Sequence, residues 1–81
     1  MNIKNRLTFE YPVKKTIFKL EHLIDEHTYI WKYFPKRTDE VIKSLGRFAE
    51  DPEYNLDWSD AGKLSYLAIE GSLEYFRNRD K

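Results

Sequence analysis

The chain has 81 residues, 16% of them aromatic, with 14 Lys and Arg balanced by 14 Asp and Glu and no cysteine. That length leads us to expect one domain, near the size at which a single core is only marginally sufficient, and leaves no room for a second. The absence of cysteine excludes a disulfide framework and a thiolate zinc site, and the charge balance argues against phosphate binding driven by bulk charge.

Residues 1–11 alternate, with Ile3, Asn5, Leu7, Phe9 and Tyr11 on one side and Lys4, Arg6, Thr8 and Glu10 on the other. A period of two is that of a strand. A lone strand leaves its backbone unpaired, so this arm needs a partner strand from a copy, another protein or the same chain. The one internal candidate is Thr28 to Phe34, rich in β-branched and aromatic residues.

Val13, Ile17, Leu20, Ile24, His27, Trp31 and Phe34 follow one another at spacings of four and three, which predicts a helix over residues 12–34 with one apolar stripe. Leu23 and Ile30 widen that stripe, and Pro12 and Pro35 bracket the segment. Residues 28–34 thus belong to two readings. As helix they complete the seam; as strand they pair with the arm and leave a helix ending near Glu26. Seven seam positions in unbroken agreement favour the helix, because intrinsic propensity is a weak prior.

Thr38 is the expected N-cap of a second helix over 38–50, with Asp39 and Glu40 in its first turn and Val41, Ile42, Leu45, Phe48 and Ala49 as its stripe. Gly46 weakens this helix or marks a close approach, and Asp51-Pro52 ends it. A third helix is predicted over 57–78, with Asp57 as cap and Asp60 three residues on, in the manner of a capping box. Its circumference is more than half apolar: Leu64, Leu67 and Tyr75 form one flank and Trp58, Ile69, Leu73 and Phe76 the other. Between the flanks run the small residues Ala61, Ser65, Ala68 and Ser72, so the helix is expected to sit between two neighbours. The predicted fold class is mainly α: a small three-helix domain with an extended, strand-forming N-terminal arm.

No constellation names a chemistry. The connector from Asp51 to Asp60 carries oxygen side chains at alternate positions, but Leu56 stands where a calcium loop needs Gly and Gly62 where it needs a bidentate Glu. His22 and His27 are five apart and share no helical face; His22 with Glu26 would supply only two ligands, so a solvated face is the expectation. His27 lies in the seam between Ile24 and Trp31, where it would set register or titrate as a switch. With no thiol, no nucleophile turn and three glycines, the chain offers no catalytic, cofactor-binding or metal-ligating residues to assign, and an enzyme is not expected. A helix-turn-helix would bring Asp57 and Asp60 towards phosphate.

The aromatic surplus points elsewhere. A small neutral domain with more aromatic side chains than its core can enclose is expected to bind a protein partner. The residues assigned to that contact are Phe9, Tyr11, Phe18 and Tyr29, on the arm and first helix, with Ile17, Ile24, His27 and Trp31 as a self-association seam giving a homo-oligomer. The alternative is nucleic-acid binding by the basic N-terminal segment, where Lys4, Arg6, Lys14, Lys15 and Lys19 face Glu10 alone. No run of membrane-spanning length and no signal-peptide core occurs, so a regulatory module in the cytoplasm, without membrane contact, is the expectation.

Overall fold

Two periods compete in residues 17–24, and the strand period wins. The structure, a computed structural model describing residues 3–10 and 16–79, places three strands first: β1 (Ile3–Glu10), β2 (Ile17–Ile24) and β3 (His27–Tyr33). They form one antiparallel sheet in the order β1-β2-β3. A single 3-10 turn, Pro35–Arg37, leads into α1 (Thr38–Glu50), and after a connector α2 (Trp58–Arg79) closes the described chain. The predicted mainly α three-helix domain is therefore corrected to a small α+β fold, and the helical bundle built on a helix over 12–34 does not form.

Side-chain alternation explains the correction. In β2 every second residue, Phe18, Leu20, His22 and Ile24, is buried, while Ile17, Lys19 and Leu23 are half-buried on the opposite face. The register continues those rows across the sheet: Phe9, Phe18 and Tyr33 align, then Leu7, Leu20 and Trp31, then Asn5, His22 and Tyr29, then Ile3, Ile24 and His27. A central strand with apolar residues on both faces, Ile17 and Leu23 on one and Phe18, Leu20 and Ile24 on the other, also satisfies spacings of three and four, which is why the same residues imitate a helical seam. The arm does pair within the chain, but with β2; the candidate at residues 28–34 becomes β3, which also pairs with β2. Tyr11, Pro12, Val13, Lys14 and Lys15 lie outside the described residues.

Asp25 and Glu26 make the two-residue turn between β2 and β3, with Asp25 at φ 53°, in the left-handed region that a short polar side chain tolerates. Both helices pack on the same face of the sheet, α1 against α2 and β3, and α2 against β1 and β2. Their core joins Phe18, Leu20 and Tyr33 to Val41, Leu45, Leu56, Leu64 and Ala68. Each large side chain fully buried there contributes about 1.5–3 kcal/mol. At Gly71 α2 lies close against the sheet, and an added Cβ there would collide with Leu7.

Thr38 is not the cap of α1 but its first residue. Its hydroxyl donates to the Pro35 carbonyl at 2.7 Å, and Arg37 occupies the cap position without a side-chain capping bond. At α2 the reciprocal box is present: the Asp60 N–H donates to Asp57 Oδ1 at 2.8 Å and the Asp57 N–H to Asp60 Oδ2 at 3.2 Å. That backbone N–H holds the Asp57 carboxyl below the ordinary carboxylate range.

Candidate functional site

The outward face of α2 carries four of the large apolar side chains that the fold leaves exposed among the described residues. One side of this helix, Ala61, Leu64, Ala68 and Gly71, is buried against the sheet and α1. On the other side Trp58, Tyr66, Ile69 and Leu73 are 60%, 64%, 44% and 54% exposed. With Gly62 and the half-buried Phe76 they follow spacings of four, four, three, four and three, a single helical stripe. The two flanks read from the sequence are thus split: the first covers the sheet, whereas Trp58, Ile69 and Leu73 of the second stay largely exposed. The indole of Trp58 lies 3.9 Å from the Cβ position of Gly46, which is the close approach that glycine marks in α1.

A second surface is the face of the sheet turned away from the helices, carrying Lys4, Arg6, Thr8, Lys19, Thr28, Ile30 and Lys32. Its charges are largely satisfied locally. Arg6 donates twice to the Glu21 carboxylate, each bond at 3.1 Å, Lys19 approaches Glu21 at 4.0 Å, and Lys32 pairs with Glu10 at 3.7 Å. The Arg6 bonds hold the Glu21 carboxyl below its ordinary range.

A third feature is a cleft of about 450 Å³ where the β2–β3 turn meets the connector to α2, lined by Ile3, Ile24, Asp25, Tyr54 and Asp60 among others. Its polar groups are engaged in shaping backbone: Asp51 Oδ1 accepts from the Glu53 N–H at 3.0 Å, and Asp57 and Asp60 cap α2. Behind it His22 is fully buried, which corrects its expected place on a solvated face. Its Nδ1 lies 2.6 Å from Asn5 Oδ1 and so donates to that amide oxygen. Its Nε2 faces Asp60 Oδ2 at 3.9 Å and has no hydrogen-bond partner among the described residues. No group of three or more His, Asp or Glu among the described residues is arranged to hold a metal ion.

The residues singled out from the sequence are scattered by this fold. Phe18 is fully buried, stacked with Phe9 at 4.7 Å and edge-on to Tyr33 and Tyr75, so it belongs to the core and not to a contact surface. Phe9 is 40% exposed at the end of β1. Tyr29 is half-buried among Trp31, Phe48 and Tyr54, and its hydroxyl accepts from the Asn55 N–H at 3.2 Å. The seam dissolves: Ile17 points to the open face of the sheet, whereas Ile24 and Trp31 point to the helices and His27 is exposed at the start of β3. Trp58, Ile69, Leu73 and Phe76 of the α2 stripe were visible as a second apolar flank of the third helix, but Tyr66 was not placed on it and nothing in the sequence distinguished the flank that stays uncovered.

Compared with protein-family models, with curated proteins and with solved structures, the chain matches none. No helix among the described residues is long and apolar enough to cross a membrane.

Proposed function

We propose that this chain is a non-catalytic protein-interaction module whose docking surface is the outward face of α2. The observation that carries the reading is the alignment of Trp58, Tyr66, Ile69 and Leu73 on one exposed stripe of a long helix. Contiguous exposed apolar patches mark interaction sites, and Trp and Tyr are the side chains most often found at their energetic centres. Contacting rings lead from Phe9 through the buried Phe18, then Tyr75, to Phe76, which ties the C-terminal end of the stripe to the core. The contact surface is accordingly moved from the arm and first helix to α2.

Two observations weigh against the other readings. The cleft's aspartates are occupied as caps and turn acceptors, which favours a structural over a catalytic role for them. On the open face of the sheet Arg6, Lys19 and Lys32 already face carboxylates, which weakens what these three cations could offer a nucleic acid.

The test is capture from native cell extract on the immobilised full chain, with recovered proteins identified by mass spectrometry. Leu73→Asp and Tyr66→Ala should each lose the partner, since truncating a central aromatic commonly costs about 2 kcal/mol. Lys4→Ala with Lys32→Ala should retain it. Capture unchanged by the α2 variants but abolished by moderate salt would reject the reading in favour of nucleic acid.

A further inference from the structure

Resting on the reading of α2's outward face as a docking surface, we propose that its occupant is a second copy of this chain, paired α2 to α2 in antiparallel orientation about a two-fold axis. Both the shape and the charge of the stripe are self-complementary in that orientation. A two-fold crossing between Tyr66 and Ile69 sets Tyr66 of one copy opposite Ile69 of the other, Gly62 opposite Leu73, and Trp58 opposite Phe76. Gly62 is exposed, and nothing lies within 4 Å of where its Cβ would be, so the backbone there is a recess open to an incoming Leu73. Symmetry makes the match twice, once near each end.

The charges select the orientation. Lys63, Glu70 and Glu74 follow spacings of seven and four along one flank of the apolar stripe, and all three are exposed. Among the described residues none of them forms an ion pair within the chain. Glu70 and Glu74, like charges four apart, repel each other on an isolated helix. In an antiparallel pair the same flank of the two copies adjoins, as in antiparallel coiled coils, and Lys63 falls between Glu70 and Glu74 of the other copy. In a parallel pair this flank would meet the one bearing Ser65 and Ser72, and Glu70 and Glu74 would stay unmatched. A helix face about 33 Å long and about 10 Å wide, about 330 Å² per copy, is smaller than a standard specific interface, so weak association, seen towards the upper end of the concentration range, is expected.

Sedimentation equilibrium of the full chain, from about 10 μM to about 1 mM, tests the proposal. The expected result is a monomer–dimer equilibrium for the unmodified chain, weakened tenfold or more by Lys63→Glu alone and by Glu70→Lys with Glu74→Lys alone. An equimolar mixture of those two variants should recover dimerisation, because each supplies the charge that the other has lost. Far-UV circular dichroism and thermal melts on the same samples establish that these exposed substitutions leave the fold intact. A chain monomeric throughout, or charge variants that associate as strongly as the unmodified chain, or a mixture that stays monomeric, overturns antiparallel self-pairing. If self-pairing fails while capture of a partner still depends on Tyr66 and Leu73, the docking reading stands with a different occupant; if capture also ignores those residues, both fall.

Discussion

Asp57 and Asp60 hold each other's backbone at the start of α2, each carboxylate accepting the other's N–H, at 2.8 Å and 3.2 Å. The pair satisfies two of the donors that a helix N-terminus leaves orphaned, and Asp60 does so from a nearly buried position beside His22. Asp57→Ala is expected to lower the urea midpoint, while Asp57→Asn should keep most of the stability, since Asn caps as well as Asp.

The same bonds set the acid limit of the fold. Asp57 and Glu21 have folded pKa values below their ordinary 3.8 and 4.5, the first through the Asp60 N–H and the second through Arg6. A lowered folded pKa contributes stability that is present above the ordinary value and lost as pH falls through the folded one. Unfolding free energy should therefore begin to decline near pH 4.5 and continue below 3.8. In urea titrations at a series of pH values, Glu21→Gln should start lower at neutral pH and fall less on acidification.

Tyr33 sets the alkaline limit. Burial raises its phenol to about 12 from an ordinary 10.0, and its hydroxyl has no hydrogen-bond partner among the described residues. Because the folded value is the higher one, stability is level below pH 10 and declines as pH rises towards 12, where the unfolded chain ionises first. Tyr33→Phe should extend the level region past pH 10 and raise stability at neutral pH by about 1 kcal/mol, the scale of an unpaired buried hydroxyl.

Two glycines of one helix should respond with opposite sign. Gly62 faces open space, so Gly62→Ala is expected to stabilise by about 0.5–1 kcal/mol through helix propensity. At Gly71 the new methyl would meet Leu7 and press towards Phe18, and overpacking by about 1–3 kcal/mol outweighs the same propensity gain. Thermal melts of the two variants should bracket the unmodified chain.

The helical half of the fold was legible and the sheet half was not, for reasons that lie in particular residues. Thr38 to Glu50 and the Asp57–Asp60 box carry local signals that no tertiary contact overrides. The arm's alternation was also readable, because β1 is an edge strand with a polar outer face. The central strand β2 hid behind its own burial. His22 and Glu21 are buried polar residues in adjacent positions, and they blur the alternation of Phe18, Leu20 and Ile24. The turn that follows is Asp-Glu, without the glycine that usually announces a two-residue hairpin. Of the candidate site, a second apolar flank on the third helix could be read, but which flank the sheet would cover depended on strands that the pattern concealed.

Phe18 and Leu73 separate core from surface. Phe18→Ala should destabilise by about 3–5 kcal/mol, a large part of what a domain of this size possesses, because the ring is fully buried. Leu73→Asp opens no cavity in the core, so its unfolding free energy from urea titration should stay within about 0.5 kcal/mol of the unmodified chain. Any loss of association in that variant then reports on contact and not on folding.

The most direct measurement follows the backbone amide shifts of the isotope-labelled full chain through a dilution series from about 1 mM to about 20 μM. Antiparallel self-pairing through α2 predicts concentration-dependent shifts clustered at Trp58, Gly62, Tyr66, Ile69 and Leu73, with Lys4, Thr28, Ile30 and Lys32 on the open face of the sheet unmoved. Shifts confined to those sheet residues, or none at all across the series, would contradict it.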